Sequence, residues 1–320
     1  MKAILITGAA GFLGFHLARA LQTQDGTHIY CVDNFSRGVH DDAYDELIRC
    51  DNVTGLVLDL CDPASIKDLP KSVDVVYHLA ALNGTQNFYE RPFEVMRSTT
   101  LPAFWLLEKY RDCELQRFVY AGSSESYAST VTRFGWEVPT SENVPLCVDD
   151  IFNPRWSYGV SKIHGELLTI NACRHFSIPF AIARYHNIFG PRMGDRHIIP
   201  DFLSRAREGI FELFGFEETR TFMFVDDAVR ASILLGEDPR AIGRVINVGG
   251  AEEISMLDLA IRILHLAGLE SHKLELHPAP AGSVFRRAPN TDALQSLGFH
   301  PRWTLNDGLL QMIREYLPAQ

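Results

Sequence analysis

A glycine-rich turn near residue 10 lies between an apolar strand-like run and a helical pattern. The run is KAILIT, the turn is TGAAGFLG with Gly8, Gly11 and Gly14, and the helical pattern is GFLGFHLARALQ. Glycines at these places let the backbone turn tightly and let a pyrophosphate approach the positive N-terminus of the helix. The same spacing also suits an ordinary tight turn between a strand and a helix, so the glycines alone leave both interpretations open.

An aspartate at the end of the next strand-like run favours the dinucleotide interpretation. Asp33 in YCVDNFSRG follows the last glycine by about 20 residues, where a carboxylate accepts hydrogen bonds from an adenosine ribose. Because a carboxylate there repels a 2′-phosphate, the sequence predicts NAD rather than NADP as the cofactor. Arg37 lies close enough to bind such a phosphate, but is interpreted as a solvated loop residue. Asp59, after the third run, is predicted either to reach the adenine edge or to be solvated.

Strand-like runs alternate with helix-length segments up to about residue 190. The runs are KAILIT, HIYCVD, VTGLVLD, VDVVYHL, QRFVYAG and PFAIARY. This alternation predicts an α/β fold in which helices wrap a parallel sheet. Farther along, glycine and proline break the chain into shorter elements at FGPRMGDRHIIP, GFEET and HPAPAG, which predicts a smaller, irregular C-terminal lobe.

Composition argues against several classes of partner. A formal net charge of −10 with no run of lysine and arginine argues against binding to nucleic acid or to an acidic membrane surface. No apolar run approaches the roughly 20 residues that a membrane-spanning helix needs. The six cysteines show no CxxC or other metal-like spacing, so we expect reduced thiols, no bound metal and a cytoplasmic location.

Tyr158 and Lys162 stand four residues apart in the segment RWSYGVSKIHGEL. In a helix, side chains at i and i+4 project from the same face. A phenol has an ordinary pKa of about 10, and a nearby ammonium together with the positive charge of nicotinamide favours the phenolate. The pair therefore predicts a general base near neutrality, with the lysine also holding the nicotinamide ribose. An amphipathic surface helix has the same spacing, but the dinucleotide site upstream favours the base.

Seven motifs occur in order along nearly the whole chain: TGAAGFLG, DNFSRG, VYHLAA, AGSSESYA, YGVSK, RYHNIFGPRMG and TRTFMFVDDAV. Together they resemble an extended short-chain dehydrogenase/reductase of the nucleotide-sugar epimerase/dehydratase type. The resemblance implies a doubly wound Rossmann domain over residues 1–188 that binds NAD, to which some later segments return. It implies a lobe over residues 189–320 that mainly binds a nucleoside-diphosphate sugar, and oxidation of that sugar at C4 as the first step.

The resemblance also implies roles for individual residues. Tyr158 is the base, Lys162 is its partner, and Ser123 is the hydroxyl that shares the proton of the substrate's O4. The implied cofactor-binding residues are Gly8, Gly11, Phe12, Leu13, Gly14, Asp33, Asn34, Asp59, Leu60, Leu79, Ala80, Ala81, Tyr158 and Lys162. The implied substrate-binding residues are Ser124, Asn187, Arg220 and Arg287, of which the last three contact the diphosphate. His186 and His197 are interpreted as packed or solvated rather than catalytic.

Glu125 departs from the pattern of UDP-galactose 4-epimerases, which have no glutamate at this place. The sequence Ser123-Ser124-Glu125 resembles the Thr-Asp-Glu or Thr-Ser-Glu of sugar 4,6-dehydratases and UDP-glucuronate decarboxylases. A carboxylate beside C5 can remove the C5 proton of a 4-keto sugar, and the alternative role is a structural residue bonded to a backbone amide. Two other departures are the short GFEET, in place of Gly-Asp-Gly, and Thr99, in place of a cofactor-facing asparagine.

We therefore expect an NAD-dependent enzyme that oxidises a nucleotide-linked hexose or heptose at C4 and returns the hydride, as a 4-epimerase does. Dehydratase or decarboxylase chemistry through Glu125 is the close alternative, and net dehydrogenation at C4 is a third. A non-catalytic, NAD-sensing protein is the alternative of another class, and the intact catalytic set weighs against it. The resemblance further implies a homodimer paired through helices near residues 93–111 and 157–175.

Overall fold

The computed structural model describes residues 1–195, 197–279 and 283–317, so the segments FGPRMGDRHIIP and HPAPAG lie partly outside the described residues. In chain order the strands are β1 (Lys2–Thr7), β2 (Thr27–Asp33), β3 (Val53–Val57), β4 (Val75–His78), β5 (Arg117–Ser123), β6 (Phe180–Tyr185), β7 (Ile188–Phe189), β8 (Glu212–Phe214), β9 (Thr219–Thr221), β10 (Met223–Phe224), β11 (Arg244–Val248), β12 (Glu253–Ser255), β13 (Glu275–His277) and β14 (Arg286–Arg287). The helices are α1 (Phe12–Gln22), α2 (Asp42–Ile48), α3 (Thr85–Glu90), α4 (Pro92–Lys109), α5 (Ala128–Phe134), α6 (Ser157–Phe176), α7 (Ile198–Arg207), α8 (Val225–Glu237), α9 (Met256–Ala267), α10 (Asp292–Gln295) and α11 (Leu305–Tyr316). Short 3₁₀ helices lie at Ser65–Asp68, Ser124–Tyr127, Pro154–Trp156 and Pro239–Ala241.

A seven-stranded parallel sheet forms the centre of the fold, in the order β11-β6-β5-β4-β1-β2-β3. Strand β1 pairs in parallel with β2 on one side and with β4 on the other. After β1 the chain adds β2 and β3 on one side of the sheet and then crosses to add β4 on the other side. The position between β1 and β4 is therefore the switch point, where doubly wound folds bind ligands. The predicted α/β class with a doubly wound sheet is confirmed. Strand β11 was not among the predicted runs, because it lies in the region that we expected to be irregular.

Burial on both faces explains why central strands such as β1 and β5 are largely apolar instead of alternating. All seven residues of β5 are buried, and Ile4, Leu5 and Ile6 of β1 have no exposed surface. Helices α4 and α6 pack against each other, and the apolar side of α4 contributes Leu106 to the main core cluster. Parallel sheets covered by helices on both faces have this continuous apolar pattern.

The chain forms two compact units. The first comprises Met1–Thr130, Pro145–Arg184 and Val229–Ile246, and the second comprises Val131–Val144, Tyr185–Ala228 and the described residues from Asn247 onward. The second unit contains a three-stranded sheet in the order β12-β9-β14 and the short pairs β10-β7 and β13-β8. Among the described residues, none of the helices has both the length and the apolar character needed to cross a lipid bilayer.

Candidate functional site

The glycine-rich turn connects the end of β1 to the start of α1. Gly8 has a φ of +71°, and a Cβ atom on Gly14 would stand 2.1 Å from the carbonyl oxygen of Gly8, so only glycine permits this approach. Helix α1 has no side-chain cap at Gly11 and no acidic residue in its first turn. Its first backbone N–H groups, which include those of Phe12 and Leu13, therefore face the loop without an intrahelical acceptor. This end of the helix fits an anionic group such as a pyrophosphate.

Asp33 lies at the carboxyl end of β2 and is bonded to the glycine turn. Its carboxylate accepts hydrogen bonds from the backbone N–H of Ala10 at 2.9 Å and of Phe35 at 2.8 Å. Burial raises the pKa of Asp33, while the backbone hydrogen bonds act in the opposite direction. Asn34 donates to Asp59 at 3.4 Å, so the structure brings the three polar side chains predicted for the adenosine end to one edge of the sheet.

The segment that follows β4 packs against the glycine-rich turn that follows β1. Leu79 N–H donates to the Thr7 carbonyl at 3.2 Å, and Ala80 N–H donates to the Thr7 hydroxyl at 3.3 Å. A Cβ atom on Gly8 would stand 2.9 Å from the Ala80 nitrogen. Ala81 follows at the sheet edge, and Leu60 is buried after β3. Gly8, Leu79 and Ala80 thus come together after β1 and β4, at the switch point of the sheet.

Ser123 lies close enough to Tyr158 for its hydroxyl to lower the pKa of the phenol. Ser123 ends β5, and its Oγ accepts the backbone N–H of Glu125 at 3.2 Å. Because that contact uses a lone pair of the oxygen, the Ser123 hydroxyl keeps its own hydrogen for donation to Tyr158 or to a ligand oxygen. Both side chains are buried, with Tyr158 at 8% exposure and Ser123 at 9%.

Lys162 lies one turn after Tyr158 on α6, as the four-residue spacing predicts. Its Nζ donates to the Ala121 carbonyl at 2.7 Å and lies 5.6 Å from the centre of the Tyr158 ring. Burial lowers the pKa of Lys162 to about 7, and the Glu166 carboxylate offsets part of that effect. The ammonium has two further N–H donors that are available to a ribose.

Stability should depend on pH through Lys162. Its pKa in the folded chain, about 7, lies below the ordinary value of 10.5, so between these values the unfolded chain binds more protons than the folded chain. The free energy of unfolding should therefore rise with pH across this window, by on the order of a few kcal/mol, while below pH 7 the burial penalty is present in full. We expect Lys162→Met to flatten the rise in urea unfolding of cofactor-free protein measured from pH 7 to 9. Equal slopes for the two proteins would contradict the assignment.

The pKa of Tyr158 differs in direction from the sequence-based expectation. Burial raises the pKa of Tyr158 to about 12, and the nearby Glu125 carboxylate also raises it. The Arg37 guanidinium and the hydrogen bonds from Ser123 and Asn83 lower it, without cancelling the effect of burial. The phenol is therefore neutral in the cofactor-free protein, and its use as a base requires added positive charge beside it.

Sequence reasoning missed two of these partners. Asn83 lies in the segment that follows β4 and lowers the pKa of Tyr158, and its signal was a polar residue shortly after a central strand. Arg37 was interpreted as a solvated loop residue, and that interpretation is incomplete. Although Arg37 retains exposed surface, its charge acts on Tyr158.

Glu125 forms an ion pair that neither of its two predicted roles included. The Arg155 Nη2 atom lies 2.7 Å from the Glu125 Oε2 atom, and both side chains are largely buried. Arg155 belongs to the 3₁₀ helix that directly precedes α6. The partner of the carboxylate is therefore a guanidinium supplied by the element next to Tyr158.

The second unit holds three of the predicted substrate residues. Arg220 on β9 and Arg287 on β14 are register partners in parallel strands, so their side chains emerge on the same face of that sheet. Arg220 Nη2 pairs with Glu218 of the GFEET segment at 2.8 Å. Asn187 has a φ of +41°, and its side-chain amide donates to the Thr221 carbonyl at 3.0 Å. The Asn187 side chain is thus bonded to the residue that follows Arg220 in β9.

Two histidines and two hydroxyl residues singled out in the sequence differ in burial. His186 is buried, and its Nε2 lies 3.1 Å from the Asn247 Oδ1 atom, whereas His197 is exposed. Both histidines therefore match the predicted packed or solvated state. Ser124 is buried after β5, and Thr99 is fully buried on α4. Within the described residues the Thr99 hydroxyl has no hydrogen-bond partner.

Comparison with known proteins agrees with this geometry. The profile of the NAD dependent epimerase/dehydratase family matches residues 4–249. The chain is 29% identical to a UDP-N-acetyl-alpha-D-glucosaminuronate decarboxylase of Bacillus cytotoxicus, over 98% of this chain and 97% of the relative. It is 30% identical to GDP-mannose 3,5-epimerase 1 of Oryza sativa subsp. indica, over 96% of this chain and 79% of the relative.

A solved structure shows the same fold with both ligands in place. A mutant of UDP-glucuronic acid 4-epimerase from Bacillus cereus, in complex with UDP-4-deoxy-4-fluoro-glucuronic acid and NAD, has 26% identity and a TM-score of 0.86. The match covers 98% of this chain and 100% of that one. The profile match spans well over half of the sequence and includes the glycine turn, Ser123, Tyr158 and Lys162. The chain therefore belongs to the NAD-dependent epimerase/dehydratase family and is an enzyme whose cofactor is NAD.

Proposed function

We propose that this enzyme is a 4-epimerase of nucleoside-diphosphate sugars. The observation that carries the proposal is the meeting of Ser123, Tyr158 and Lys162 beside the switch point of the sheet. The arrangement supplies a hydroxyl donor, a phenol and a buried ammonium within one site, which is what proton removal from a sugar hydroxyl needs. The related UDP-glucuronic acid 4-epimerase and GDP-mannose 3,5-epimerase support a nucleotide sugar as the substrate.

Tyr158 removes the O4 proton in this account, and Ser123 donates a hydrogen bond to the same oxygen. When bound, NAD supplies hydride acceptance from C4 and hydride return, and its positive charge favours the phenolate. Lys162 adds a second positive charge and binds the ribose next to the nicotinamide. Arg37, Ser123 and Asn83 also lower the pKa of Tyr158, so these three groups act in the same direction as the two positive charges.

We place the cofactor along the residues that line the switch point. The uncapped N-terminus of α1 fits the pyrophosphate, the Asp33 carboxylate fits the adenosine ribose, and Asn34 and Asp59 lie beside it. Lys162 keeps N–H donors for the other ribose, because Ala121 is its one hydrogen-bond partner among the described residues. The donor set therefore fits NAD.

Asp33→Ala should weaken NAD binding by about 10- to 100-fold, because a hydrogen bond to a charged group is worth roughly 1.5–3 kcal/mol. It should also reduce the preference for NAD over NADP, since the charge that repels a 2′-phosphate is lost. Asp33→Asn is the matched control, because it keeps the shape and an acceptor oxygen for Ala10 N–H while removing the charge. We expect the control to lose more discrimination than affinity in titrations with both dinucleotides. Tighter binding of NADP than NAD by the unmodified enzyme would refute the ribose assignment.

The diphosphate of the substrate is assigned to Asn187, Arg220 and Arg287, and Ser124 is assigned to the sugar. Two guanidinium groups on register partners repel each other unless an anion lies between or beside them. Glu218 pairs with Arg220, and Arg287 lies on the same face of the sheet. Paired planar guanidinium groups match phosphate oxygens better than ammonium groups do.

The ion pair of Glu125 favours epimerisation over chemistry at C5. A carboxylate 2.7 Å from a guanidinium is a weaker base than a free one. Decarboxylation is the second candidate, because it needs the 4-keto sugar but not a base at C5, and because the Bacillus cytotoxicus relative is named as a decarboxylase. It requires a substrate with a carboxylate at C6.

Mass analysis of the products separates these reactions. The purified enzyme is incubated with UDP-, dTDP- and GDP-linked hexoses and with UDP-linked uronic acids, and each product is examined by mass spectrometry and NMR. The proposal predicts a product of unchanged mass with inverted configuration at C4. Loss of water identifies a dehydratase, loss of carbon dioxide a decarboxylase, and a stable loss of two hydrogens a net dehydrogenase, and each of these would replace the proposal.

We also propose that the enzyme forms a homodimer through α4 and α6. Phe93, Met96 and Phe104 share one face of α4 and remain exposed, as does Leu167 on α6. Exposed aromatic and aliphatic side chains on adjacent helices are typical of a surface that a partner covers. Sedimentation equilibrium should give a dimer, and Phe93→Glu should convert it to a monomer.

A further inference from the structure

We propose that Arg155 is a specificity-determining residue that holds Glu125 in an ion pair and so suppresses removal of the hydrogen at C5. The inference rests on the proposed 4-epimerase activity, because it concerns the fate of a neighbouring hydrogen in the 4-keto sugar. Arg155 acts through Glu125 and is a positioning residue. With Arg155 present, a chain that has a glutamate two residues after Ser123 can still invert C4 without exchanging the hydrogen at C5.

The pair is short and shielded from water. The Arg155 Nη2 and Glu125 Oε2 atoms are 2.7 Å apart, and the side chains are 10% and 15% exposed. Solvent screens such a pair far less than it screens an exposed one, so the two charges interact strongly. The carboxylate and the guanidinium thus form a close ion pair that is largely shielded from solvent.

Several contacts fix the guanidinium in this position. It lies over the ring of Phe88, with 5.3 Å to the centroid, and over the ring of Trp156 at 5.6 Å. Phe88 in turn stacks on Tyr158, with centroids 5.1 Å apart and an interplanar angle of 11°. The backbone N–H of Arg155 donates to the Asn153 side chain at 3.0 Å. The same stack of side chains thus positions Arg155 and the proposed base.

The main chain of Glu125 lies beside the proposed catalytic residues. Its backbone N–H donates to the Ser123 Oγ, and a Cβ atom on Gly159 would stand 3.0 Å from its carbonyl oxygen. These contacts fix its main chain between β5 and α6. The freedom that remains to Glu125 is that of its side chain, which Arg155 restrains.

The suppressed step is an ordinary enolisation. After C4 becomes a ketone, the C5–H bond breaks, the proton passes to the Glu125 carboxylate, and the electron pair forms the C4–C5 double bond of an enolate on O4. Return of a proton to C5 reverses the step, and in deuterated water the returning atom is deuterium. A neighbouring guanidinium favours the ionised carboxylate and lowers its affinity for that proton. The enolate then forms slowly compared with hydride return.

The test measures deuterium at C5 of the nucleotide sugar after turnover by the holoenzyme in deuterated water. We expect no label from the unmodified enzyme and label at C5 from Arg155→Met, at a rate at least about tenfold above the background, since the substitution removes the positive charge that pairs with the carboxylate. Arg155→Gln keeps an amide donor toward Glu125 and provides a second charge-free variant if the methionine protein does not fold. The double variant Arg155→Met with Glu125→Gln should show no label, because the base is absent.

Three results would overturn the inference: epimerase turnover by either charge-free variant without C5 label, label that persists in the double variant, or label already present with the unmodified enzyme. Arg155→Lys retains a positive charge and should give less label than either charge-free variant. Failure of the proposed function has a different signature, because the unmodified enzyme would then yield a product of altered mass or no product.

Discussion

Tyr158→Phe is expected to lower kcat by about 10³-fold while leaving the affinity for the nucleotide sugar within a few-fold. The substitution removes the hydroxyl whose pKa Ser123 and Asn83 lower, and it keeps the ring that stacks on Phe88. The site should therefore keep its shape and lose its proton acceptor. Stopped-flow absorbance of reduced nicotinamide after mixing with substrate reports the oxidation step directly.

The nearby buried phenol offers a matched control. Tyr120 lies on β5, fully buried, with Lys162 5.0 Å from its ring centroid. Tyr120→Phe removes a hydroxyl from the same neighbourhood without touching the proposed proton path. We expect it to retain most of the turnover, and a Tyr158→Phe enzyme that did the same would exclude the tyrosine as the base.

Gly14→Ala is expected to abolish cofactor retention. The added Cβ atom would stand 2.1 Å from the Gly8 oxygen, 2.8 Å from the Gly8 carbonyl carbon and 2.9 Å from the Ala9 Cα atom, all of which are backbone atoms. Overpacking against a fixed backbone costs about 3 kcal/mol, which corresponds to a loss in NAD affinity of about 100-fold if α1 must move off the turn. The NAD content of purified protein and calorimetric titration measure the effect.

Gly194→Ala is the control for this substitution, because nothing lies within 4 Å of its added Cβ atom and its backbone is not in the left-handed region. It should bind NAD as the unmodified enzyme does. A Gly14→Ala protein that copurifies with a full complement of NAD would show that close contact between α1 and the turn is not required for the cofactor site.

Sequence patterns predicted the features of the fold that depend only on residues close together in the chain. The turn of Gly8, Gly11 and Gly14 follows from backbone sterics within a few residues, and the spacing of Tyr158 and Lys162 follows from the helical repeat of α6. Strand β11 was missed for the opposite reason. Its five residues, RVINV, become part of the central sheet only by pairing with β6, and that pairing is a tertiary contact without a local sequence pattern.

The electrostatics of the site was harder to predict than its residues. Glu125 and Arg155 are 30 positions apart, and they meet because the segments following β5 and preceding α6 pack together. Their sequence spacing carries no periodicity, so the ion pair had no signal. The sequence predicted a phenolate favoured by Lys162 together with the nicotinamide charge, whereas in the cofactor-free chain burial, a tertiary quantity, dominates and raises the pKa of Tyr158.

The fate of the hydrogen at C4 distinguishes hydride return to the same carbon from the alternative reactions. A nucleotide sugar that carries deuterium at C4 is converted in ordinary water, and the recovered product is examined by NMR and mass spectrometry. Because the same hydride leaves C4 and returns to its other face, the account predicts an inverted C4 that still carries deuterium, with none lost to solvent. Deuterium lost from the inverted product, or a product with its C4 configuration unchanged and its mass lowered by water or carbon dioxide, would contradict the account.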